Sequence, residues 1–374
     1  MIPFIDVAAQ RRRLGGSIDA AIARVLGHCQ FILGPEVRAF EAELAAFCGA
    51  KHAVSCASGT DALVLVLRAK GIGPGDAVIC PSFTFCATAE VAVLVGATPV
   101  FVDVDEATFN IDAKGIAPAV ATAKKLRLTP KAVIPVDLFG LAADHTAIDA
   151  ACKPYDLFIL DDAAQALGAT FNNRRLGSFG HATTTSFFPA KPLGCYGDGG
   201  AVMTDDGEMA DILRSLRMHG QGGDRYDNIR IGLASRLDTI QAAILIEKLK
   251  IFPDEIAARD RIARRYSEAL GDVVITPAVP PGSLSVWAQY TIRVSGNRRD
   301  KFAAALKAEG IPTAIYYPIP LHRQQAYKQY PVGEGGVAVS DRLAGEVISL
   351  PMHAYLDEPT QDRIIAAVRS ALKL

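Results

Sequence analysis

The feature that most constrains the fold is a regular alternation of short apolar strands and helices between residues 52 and 162. The apolar runs predict strands at 52–56, 77–80, 99–104, 132–136 and 157–160. The segments between them predict helices at 60–69, 84–95, 112–125 and 146–152. Alternation at this pace is typical of an α/β fold with a mostly parallel sheet that is covered on both faces. Because ligands of such sheets bind beyond the carboxyl ends of the strands, the residues that follow each strand are candidate site residues.

The remaining segments predict helices before this region and a smaller unit after it. The first part contains predicted helices at 16–27 and 36–48, a hairpin at 169–176, strands at 183–187 and 201–204, and helices at 211–219 and 237–251. We place a domain boundary near Phe252 and Pro253. We expect residues 1–252 to form a large domain, which includes an N-terminal arm, and residues 253–374 to form a small α+β domain. The second part contains predicted helices at 254–270, 300–308 and 359–372 and strands at 289–294 and 313–316.

Charge and cysteine usage narrow the classes of partner. The 39 basic and 40 acidic residues leave a net charge of -1, which provides no general attraction for nucleic acid or an anionic membrane. The seven cysteines show no C-x-x-C pairing, which argues against a disulfide framework or a zinc site and fits a reducing cytosol. The N-terminus does not resemble a signal peptide, and no apolar run is long enough to span a bilayer. We therefore expect a cytoplasmic protein that binds no nucleic acid and no membrane.

The segment 183–201, TTTSFFPAKPLGCYGDGGA, contains the most unusual lysine of the chain. Lys191 lies between two prolines, after an apolar Phe-Phe pair and before four glycines. Apolar surroundings disfavour the ammonium form, and a neutral amine can form a Schiff base with a carbonyl compound. The alternative is that Lys191 merely crosses a loop beside a Gly-rich turn.

Ser58, Gly59 and Thr60 stand between a predicted strand and a predicted helix. Free N–H groups at a helix start, with a glycine that permits close approach, can bind an anion. The alternative is that Ser58 only caps the helix. The chain has no G-x-x-x-x-G-K-[ST] motif, and no G-x-G-x-x-G motif opens a helix after an early strand.

Two further residues follow predicted strands. Asp162 follows the strand at 157–160, and a carboxylate there could keep a ring nitrogen protonated. A metal ligand or a helix cap is the alternative, but only Asp161 stands near it in the sequence, and we expect no metal. Phe85 could stack on a ring, or it could pack in the core. A phosphate site, a carboxylate and a sequestered lysine together match the three groups that hold pyridoxal 5'-phosphate (PLP).

The motifs SGTDAL, PSFTFCATAE, ILDDAAQ and SFFPAKPLGCYGDGG occur in this order, and with them the chain resembles the DegT/DnrJ/EryC1/StrS family of PLP-dependent sugar aminotransferases. The resemblance implies the fold-type I aminotransferase architecture and a homodimer with shared active sites. It also implies that L-glutamate donates an amino group, which then passes to a keto carbon of a nucleotide-linked sugar. By motif, Lys191 forms the Schiff base and shuttles the proton, and Asp162 pairs with the pyridine nitrogen. The other implied cofactor contacts are Phe85 on the ring face, Gln165 near the phenolic oxygen, and Gly59, Thr60 and Ser186 at the phosphate.

Within the family, the lysine segment, HGQGGDRYDNIRIGLASRLDTIQAAIL and TAIYYPIPLHRQ look most like the members that aminate UDP-2-acetamido-2-deoxy-3-oxo-D-glucuronate for surface polysaccharides such as O-antigen. A 3-oxo or 4-oxo deoxyhexose on UDP, dTDP or GDP is the alternative substrate. Many relatives have Asn where this chain has Ala234, and that Asn reaches the partner subunit's phosphate. Ser235 or Arg236 could replace it. The candidate substrate contacts are Arg236, Tyr316, Tyr317 and His322.

Two other activities are compatible with the family resemblance. One is a non-catalytic relative that only binds PLP, and the other is a sugar dehydratase of the same family. A degenerate scaffold would be free to lose its lysine, and the dehydratases have histidine in its place. The presence of Lys191 therefore favours the aminotransferase.

Overall fold

A computed structural model of the chain describes residues 2–224 and 226–373. The helices of the described residues, in chain order, are α1 (Val7–Leu14), α2 (Gly16–His28), α3 (Pro35–Cys48), α4 (Gly59–Ala69), α5 (Ala87–Leu94), α6 (Ile116–Lys125), α7 (His145–Cys152), α8 (Gly207–Leu216), α9 (Thr239–Leu270), α10 (Arg299–Ala308), α11 (Ala338–Glu346) and α12 (Glu358–Ala371). The strands are β1 (His52–Cys56), β2 (Asp76–Pro81), β3 (Thr98–Val102), β4 (Thr129–Val133), β5 (Phe158–Asp162), β6 (Thr170–Phe171), β7 (Arg174–Arg175), β8 (Ala182–Ser186), β9 (Gly200–Thr204), β10 (Tyr290–Arg293) and β11 (Val347–Leu350).

Seven strands form one sheet in the order β1-β9-β8-β5-β4-β2-β3. Within this sheet, the neighbouring strands β3, β2, β4, β5 and β8 pair in parallel. Strand β9 is antiparallel to both of its neighbours, β8 and β1. One apolar core contains Phe40, Phe187 and Phe252, and a second contains Leu65 and Leu213. The predicted α/β class with a mostly parallel sheet is therefore confirmed.

The end of β5 differs from the prediction in a way that matters for the site. The strand predicted at 157–160 extends to Asp162, so Asp161 and Asp162 belong to β5 instead of following it. Successive strand residues face opposite sides of a sheet. The two neighbouring carboxylates therefore serve different environments. The strand predicted at 132–136 is likewise displaced, to Thr129–Val133.

One helix, α9, replaces the two helices that were predicted on either side of Pro253. It runs for 32 residues and contains Pro253. Phe252 and Ile256 pack in the same core, and this packing outweighs the hydrogen bond that proline cannot donate. The proposed domain boundary thus falls inside a helix, and the division at residue 252 stays a proposal.

The C-terminal part has a core of its own, which includes Tyr266, Tyr290, Phe302 and Ile364. Its predicted strand at 289–294 and helices at 300–308 and 359–372 correspond to β10, α10 and α12. The strand predicted at 313–316 was wrong, because only Ala314 forms a bridge, with Ser349 of β11. The proline at 312 cannot donate to a ladder, which limits the pairing. Helices α1 and α11 and strand β11 were not predicted.

Two general findings concern membranes and thiols. Within residues 2–224 and 226–373, no helix has both the length and the apolar character that crossing a membrane requires. The seven cysteines are all free thiols.

Candidate active site

Lys191 lies in a tightly folded loop between β8 and β9. Its backbone N–H donates to the Phe188 carbonyl oxygen at 2.8 Å, and that of Cys195 donates to the Phe187 carbonyl oxygen at 2.7 Å. A Cβ atom at Gly194 would lie 2.6 Å from the carbonyl oxygen of Pro189, so only glycine fits there. The loop is therefore held by its own backbone, and the position of Lys191 is well defined.

The amine of Lys191 has the environment that a Schiff-base lysine needs. Among the described residues we find no hydrogen bond or ion pair to its nitrogen. Burial lowers the pKa of the Lys191 amine, and the nearby Asp162 carboxylate only partly opposes this effect. The expected apolar flank is half right, because Phe187 is buried whereas Phe188 is exposed.

Asp162 is buried beside Lys191 at the carboxyl end of β5. One carboxylate oxygen accepts the Ala164 N–H at 3.2 Å, and the other accepts the Thr88 hydroxyl at 3.3 Å. Burial raises the pKa of Asp162 to about 6, against the opposing effects of the Ala164 N–H and Lys191. These long hydrogen bonds leave the carboxylate able to accept a cationic ring nitrogen.

The start of α4 lies against the end of β8. Ser58 caps the helix by accepting the Asp61 N–H at 3.0 Å, as the alternative interpretation of this residue predicted. The first N–H groups of the helix, at Gly59 and Thr60, have no intrahelical partner and attract anions. A Cβ atom at Gly59 would come within 2.7 Å of the Cβ atom of Ser186. The structure thus brings three of the predicted phosphate contacts to one place.

Gln165, Phe85 and Tyr317 form the side of the site that faces the C-terminal part. Gln165 accepts the Phe139 N–H at 2.8 Å and donates to the Tyr317 hydroxyl at 3.0 Å. Phe85 is 50% exposed, with its ring centroid 6.2 Å from that of Tyr317. Burial raises the pKa of Tyr317, so this phenol is neutral. An exposed aromatic ring next to a fixed amide and phenol suits a planar ligand.

His322 was predicted as a substrate contact, and the structure places both of its ring nitrogens against protein groups. Nδ1 lies 2.6 Å from the Ser82 hydroxyl, and Nε2 lies 3.3 Å from an Asp341 carboxylate oxygen. Neither nitrogen is left for a sugar in this arrangement. The structure favours a role for His322 in fixing the loop after Pro320.

The other predicted substrate residues are more open. Arg236 is partly buried, and its guanidinium lies 3.9 Å from the sulfur of Met218. Tyr316 is partly buried, with its ring 6.4 Å from that of Phe4. Ala234 is exposed. The substrate contacts predicted for Arg236 and Tyr316 therefore stay predictions.

Ser235 cannot supply the missing phosphate contact at the position of Ala234. It is fully buried, accepts the Ala57 N–H at 3.2 Å and donates to Asp61 at 2.6 Å. Its hydroxyl is therefore used within its own subunit. Of the two proposed replacements, Arg236 remains.

Two polar residues that the sequence analysis missed support the site. Thr88 contacts Asp162, and its place in the motif PSFTFCATAE could have indicated it. Lys248 of α9 is fully buried, donates to the Gly194 carbonyl oxygen at 2.6 Å and lies over the Tyr196 ring at 4.2 Å. Burial lowers its pKa to about 8. The only sign of a buried lysine in the sequence was its position within the apolar helical segment LIEKLKI.

Only Asp161 stands near Asp162 in the sequence, but the fold gathers further ionisable side chains around Asp161. The structure brings Asp137 and His145 to Asp161, with ligand-type atoms of the three side chains within 4.8 Å of one another. These residues come from the segment after β4, from α7 and from β5. Sequence spacing gave no sign of this cluster.

The site residues fit PLP on structural grounds. Lys191 offers an amine whose pKa is lowered by burial, Asp162 a carboxylate for the ring nitrogen, and the helix start at Gly59 a cradle that a Cβ atom would fill. When bound, PLP supplies an electron sink for a carbanion. These residues could hold each end of such a molecule with a different group, and the exposed Phe85 ring could lie on its face.

Comparison with known proteins agrees with this geometry. Residues 13–369 match the DegT/DnrJ/EryC1/StrS aminotransferase family. The chain is 48% identical to the UDP-2-acetamido-2-deoxy-3-oxo-D-glucuronate aminotransferase of Pseudomonas aeruginosa, over 98% of this chain and 99% of that protein.

Solved structures show the same fold. A DegT/DnrJ/EryC1/StrS aminotransferase from Brucella abortus has a TM-score of 0.97 and 55% identity, covering 99% of both chains. NtdA from Bacillus subtilis, with the cofactor PMP bound, has a TM-score of 0.91 and 28% identity over 100% of this chain and 85% of that one. The chain therefore belongs to the DegT/DnrJ/EryC1/StrS family and is a PLP-dependent aminotransferase.

Proposed function

We propose that the protein transfers the amino group of L-glutamate to the 3-oxo carbon of UDP-2-acetamido-2-deoxy-3-oxo-D-glucuronate, in the cytoplasm, for a surface polysaccharide such as O-antigen. The observation that carries the general reaction is the proximity of the buried Asp162 carboxylate to the Lys191 amine, whose pKa is lowered by burial. The name of the Pseudomonas relative supports the choice of sugar.

The residues act on the substrates in distinct ways. The Lys191 amine, once free, could carry a proton between the substrate carbon and the cofactor, because burial lowers its pKa and favours the neutral form that accepts a proton. Asp162 would hold the ring nitrogen of PLP protonated, and Gln165, which donates to the Tyr317 hydroxyl, would lie near the phenolic oxygen of the ring. Arg236, for which the described residues show no ion pair, is a candidate partner for an anionic group of the substrate.

We also propose that the protein works as a homodimer with shared active sites. Large apolar side chains are exposed in the single chain, among them Phe31, Ile32, Ile319 and, in the loop of Lys191, Phe188. Exposed apolar surface of this kind is typical of an interface. In many relatives, an Asn at the position of Ala234 reaches the cofactor phosphate of the partner subunit. In a dimer of this chain, Arg236 could make that contact instead.

The experiment begins with the purified protein incubated with PLP. We expect a yellow protein whose visible band is lost when L-glutamate is added, and a colourless protein would contradict the assignment. The band should then return when the correct keto sugar is supplied. If L-glutamate leaves the band unchanged while another amino acid removes it, the proposed donor is wrong.

A panel of sugars tests the acceptor. UDP-2-acetamido-2-deoxy-3-oxo-D-glucuronate should restore the band faster than the same UDP sugar without the carboxylate and faster than a dTDP-4-oxo sugar. Arg236→Lys, which keeps the charge but loses the forked geometry, should weaken discrimination. Preference for a 4-oxo deoxyhexose would instead support the alternative substrate class.

A further inference from the structure

A second cluster of charged side chains is enclosed on the face of β5 opposite Asp162. His145 is 2% exposed, and Asp137 and Asp161 are fully buried. The Nε2 atom of His145 lies 3.4 Å from an oxygen of Asp137 and 3.8 Å from an oxygen of Asp161. The imidazole is also stacked on Phe179 at a centroid distance of 4.6 Å, which fixes its orientation.

Several polar atoms of the cluster lack a hydrogen-bond partner when the carboxyl groups and the imidazole carry no extra protons. Asp137 Oδ2, His145 Nε2 and both carboxylate oxygens of Asp161 are buried without a hydrogen-bond partner in the described part of the chain. Unpaired buried polar atoms are costly, and two neighbouring carboxylates repel each other. Two protons resolve both problems, one on His145 Nε2 and one on Asp161 that is shared with Asp137.

We propose that His145 is a positioning residue: as an imidazolium it locks Asp137 and Asp161 into one arrangement, and through Asp137 it fixes the turn that orients Gln165. The cluster would then carry no net charge, with one carboxylate, one carboxylic acid and one imidazolium. The proposal rests on the proposed function only in assuming that Gln165 contacts the cofactor.

The connection from the cluster to the site runs through short hydrogen bonds. An Asp137 carboxylate oxygen accepts the Ala143 N–H at 2.7 Å, and the Asp137 N–H donates to the Asp162 carbonyl oxygen at 3.0 Å. The turn that these bonds close contains Phe139 at φ 59°, a conformation that only a well-fixed turn imposes on a bulky residue. The Phe139 N–H donates to Gln165. A shift of Asp137 would therefore move the donor that orients Gln165.

The charged groups around His145 are consistent with this protonation. Burial lowers the pKa of His145, but the negative charge that Asp161 and Asp137 share outweighs that effect and raises it to about 9, with a smaller contribution from Asp149 on the same helix. Burial and the Asp137 carboxylate raise the pKa of Asp161, to which Asp162 on β5 also contributes. On the far side of the stacked ring pair, the Arg174 guanidinium carbon lies 4.8 Å from the Phe179 centroid.

The first test uses the unloaded protein, so that it does not depend on cofactor or substrate. In protein with isotope-labelled histidines, NMR should show one of the seven histidines that keeps its proton up to about pH 9. That resonance should vanish in His145→Gln. Titration of His145 at or below its ordinary pKa would overturn the proposal, and so would a stoichiometric divalent metal that Asp161→Asn removes.

The second test separates positioning from simple stability. His145→Gln should shift the pH dependence of the visible band of the loaded enzyme and lower kcat about five- to tenfold, with KM for L-glutamate unchanged. His145→Gln combined with Asp161→Asn leaves Asp137 as the single acidic group beside two neutral amides, so no second carboxyl competes for the proton, and it should recover part of the loss. An unchanged band and kcat in the single variant, or no recovery in the double variant, would contradict the role. Failure of the sugar amination would leave the histidine titration standing.

Discussion

Gln165 donates a hydrogen bond of 3.0 Å to the hydroxyl of Tyr317, while its other amide atom accepts the N–H of Phe139 at 2.8 Å. Gln165 follows β5 in the large sheet, whereas Tyr317 belongs to the C-terminal part. One side chain therefore couples the two parts of the chain at the edge of the cofactor site.

Tyr317→Phe should loosen this coupling. A lost neutral hydrogen bond is worth about 1 kcal/mol, so we expect kcat to fall about fivefold and the melting temperature to fall slightly. Tyr155→Phe, at a partly exposed ring in the turn after α7 that contacts neither residue, is the control. Unchanged kcat in Tyr317→Phe would show that the hydrogen bond does not orient Gln165 during the reaction.

Asp162 should make cofactor binding dependent on pH. With a pKa of about 6 in the unloaded protein, Asp162 is protonated below that pH and cannot pair with a ring nitrogen. We expect PLP affinity to fall about tenfold for each pH unit below 6. Absorbance titrations between pH 5 and 8 measure this, and Asp162→Asn should bind weakly with no such dependence.

The same carboxyl has the opposite effect on the stability of the unloaded protein. Its folded pKa is raised from 3.8 to about 6, so the folded state holds a proton that the unfolded chain has already lost. The free energy of unfolding should therefore decrease as pH rises through this interval. Comparison of denaturation curves for the wild type and Asp162→Asn isolates this contribution, and identical slopes would contradict the pKa shift.

Gly59→Ala should impair phosphate binding. The added Cβ atom would meet Ser186 Cβ at 2.7 Å and occupy space at the helix start. Overpacking of this kind costs about 1–3 kcal/mol, which corresponds to a loss of PLP affinity of about 5- to 150-fold. Gly16→Ala, where the new atom meets nothing within 4 Å, is the matched control. Equal PLP affinity in both variants would place the phosphate elsewhere.

Lys191→Ala should abolish the visible band and the turnover while leaving the fold intact. Removal of a proton-transferring group alone lowers kcat about 10²- to 10⁴-fold, and loss of the covalent link adds to this. Lys301→Ala, an exposed lysine on α10, should behave like the wild type. Retained transamination in Lys191→Ala would mean that another amine performs the chemistry.

The sheet and several residues that the structure gathers at the candidate site were predictable, because both depend on local signals. The apolar run at 52–56 coincides with β1, Asp162 and Gly59 adjoin a predicted strand or helix, and Lys191 is marked by the prolines and glycines of its loop. Family resemblance then placed Gln165 and Ser186, which no local pattern marks.

What the sequence did not reveal depends on contacts between distant segments. Pro253 indicated a break in a helix that packing on both sides keeps continuous. His322 looked available for a sugar until its contacts with Ser82 and Asp341 were seen. Buried Lys248, like the cluster around His145, gains its meaning only from neighbours that other segments bring to it.

The central claim is that Lys191 is the amine that binds the cofactor, and reduction with borohydride followed by peptide mapping tests it most directly. The protein has a second buried lysine with a lowered pKa, Lys248, so the experiment has a real competitor. We predict a pyridoxyl group on the peptide that contains Lys191 and none on the peptide that contains Lys248. Attachment to Lys248, or to no lysine at all, would contradict the account.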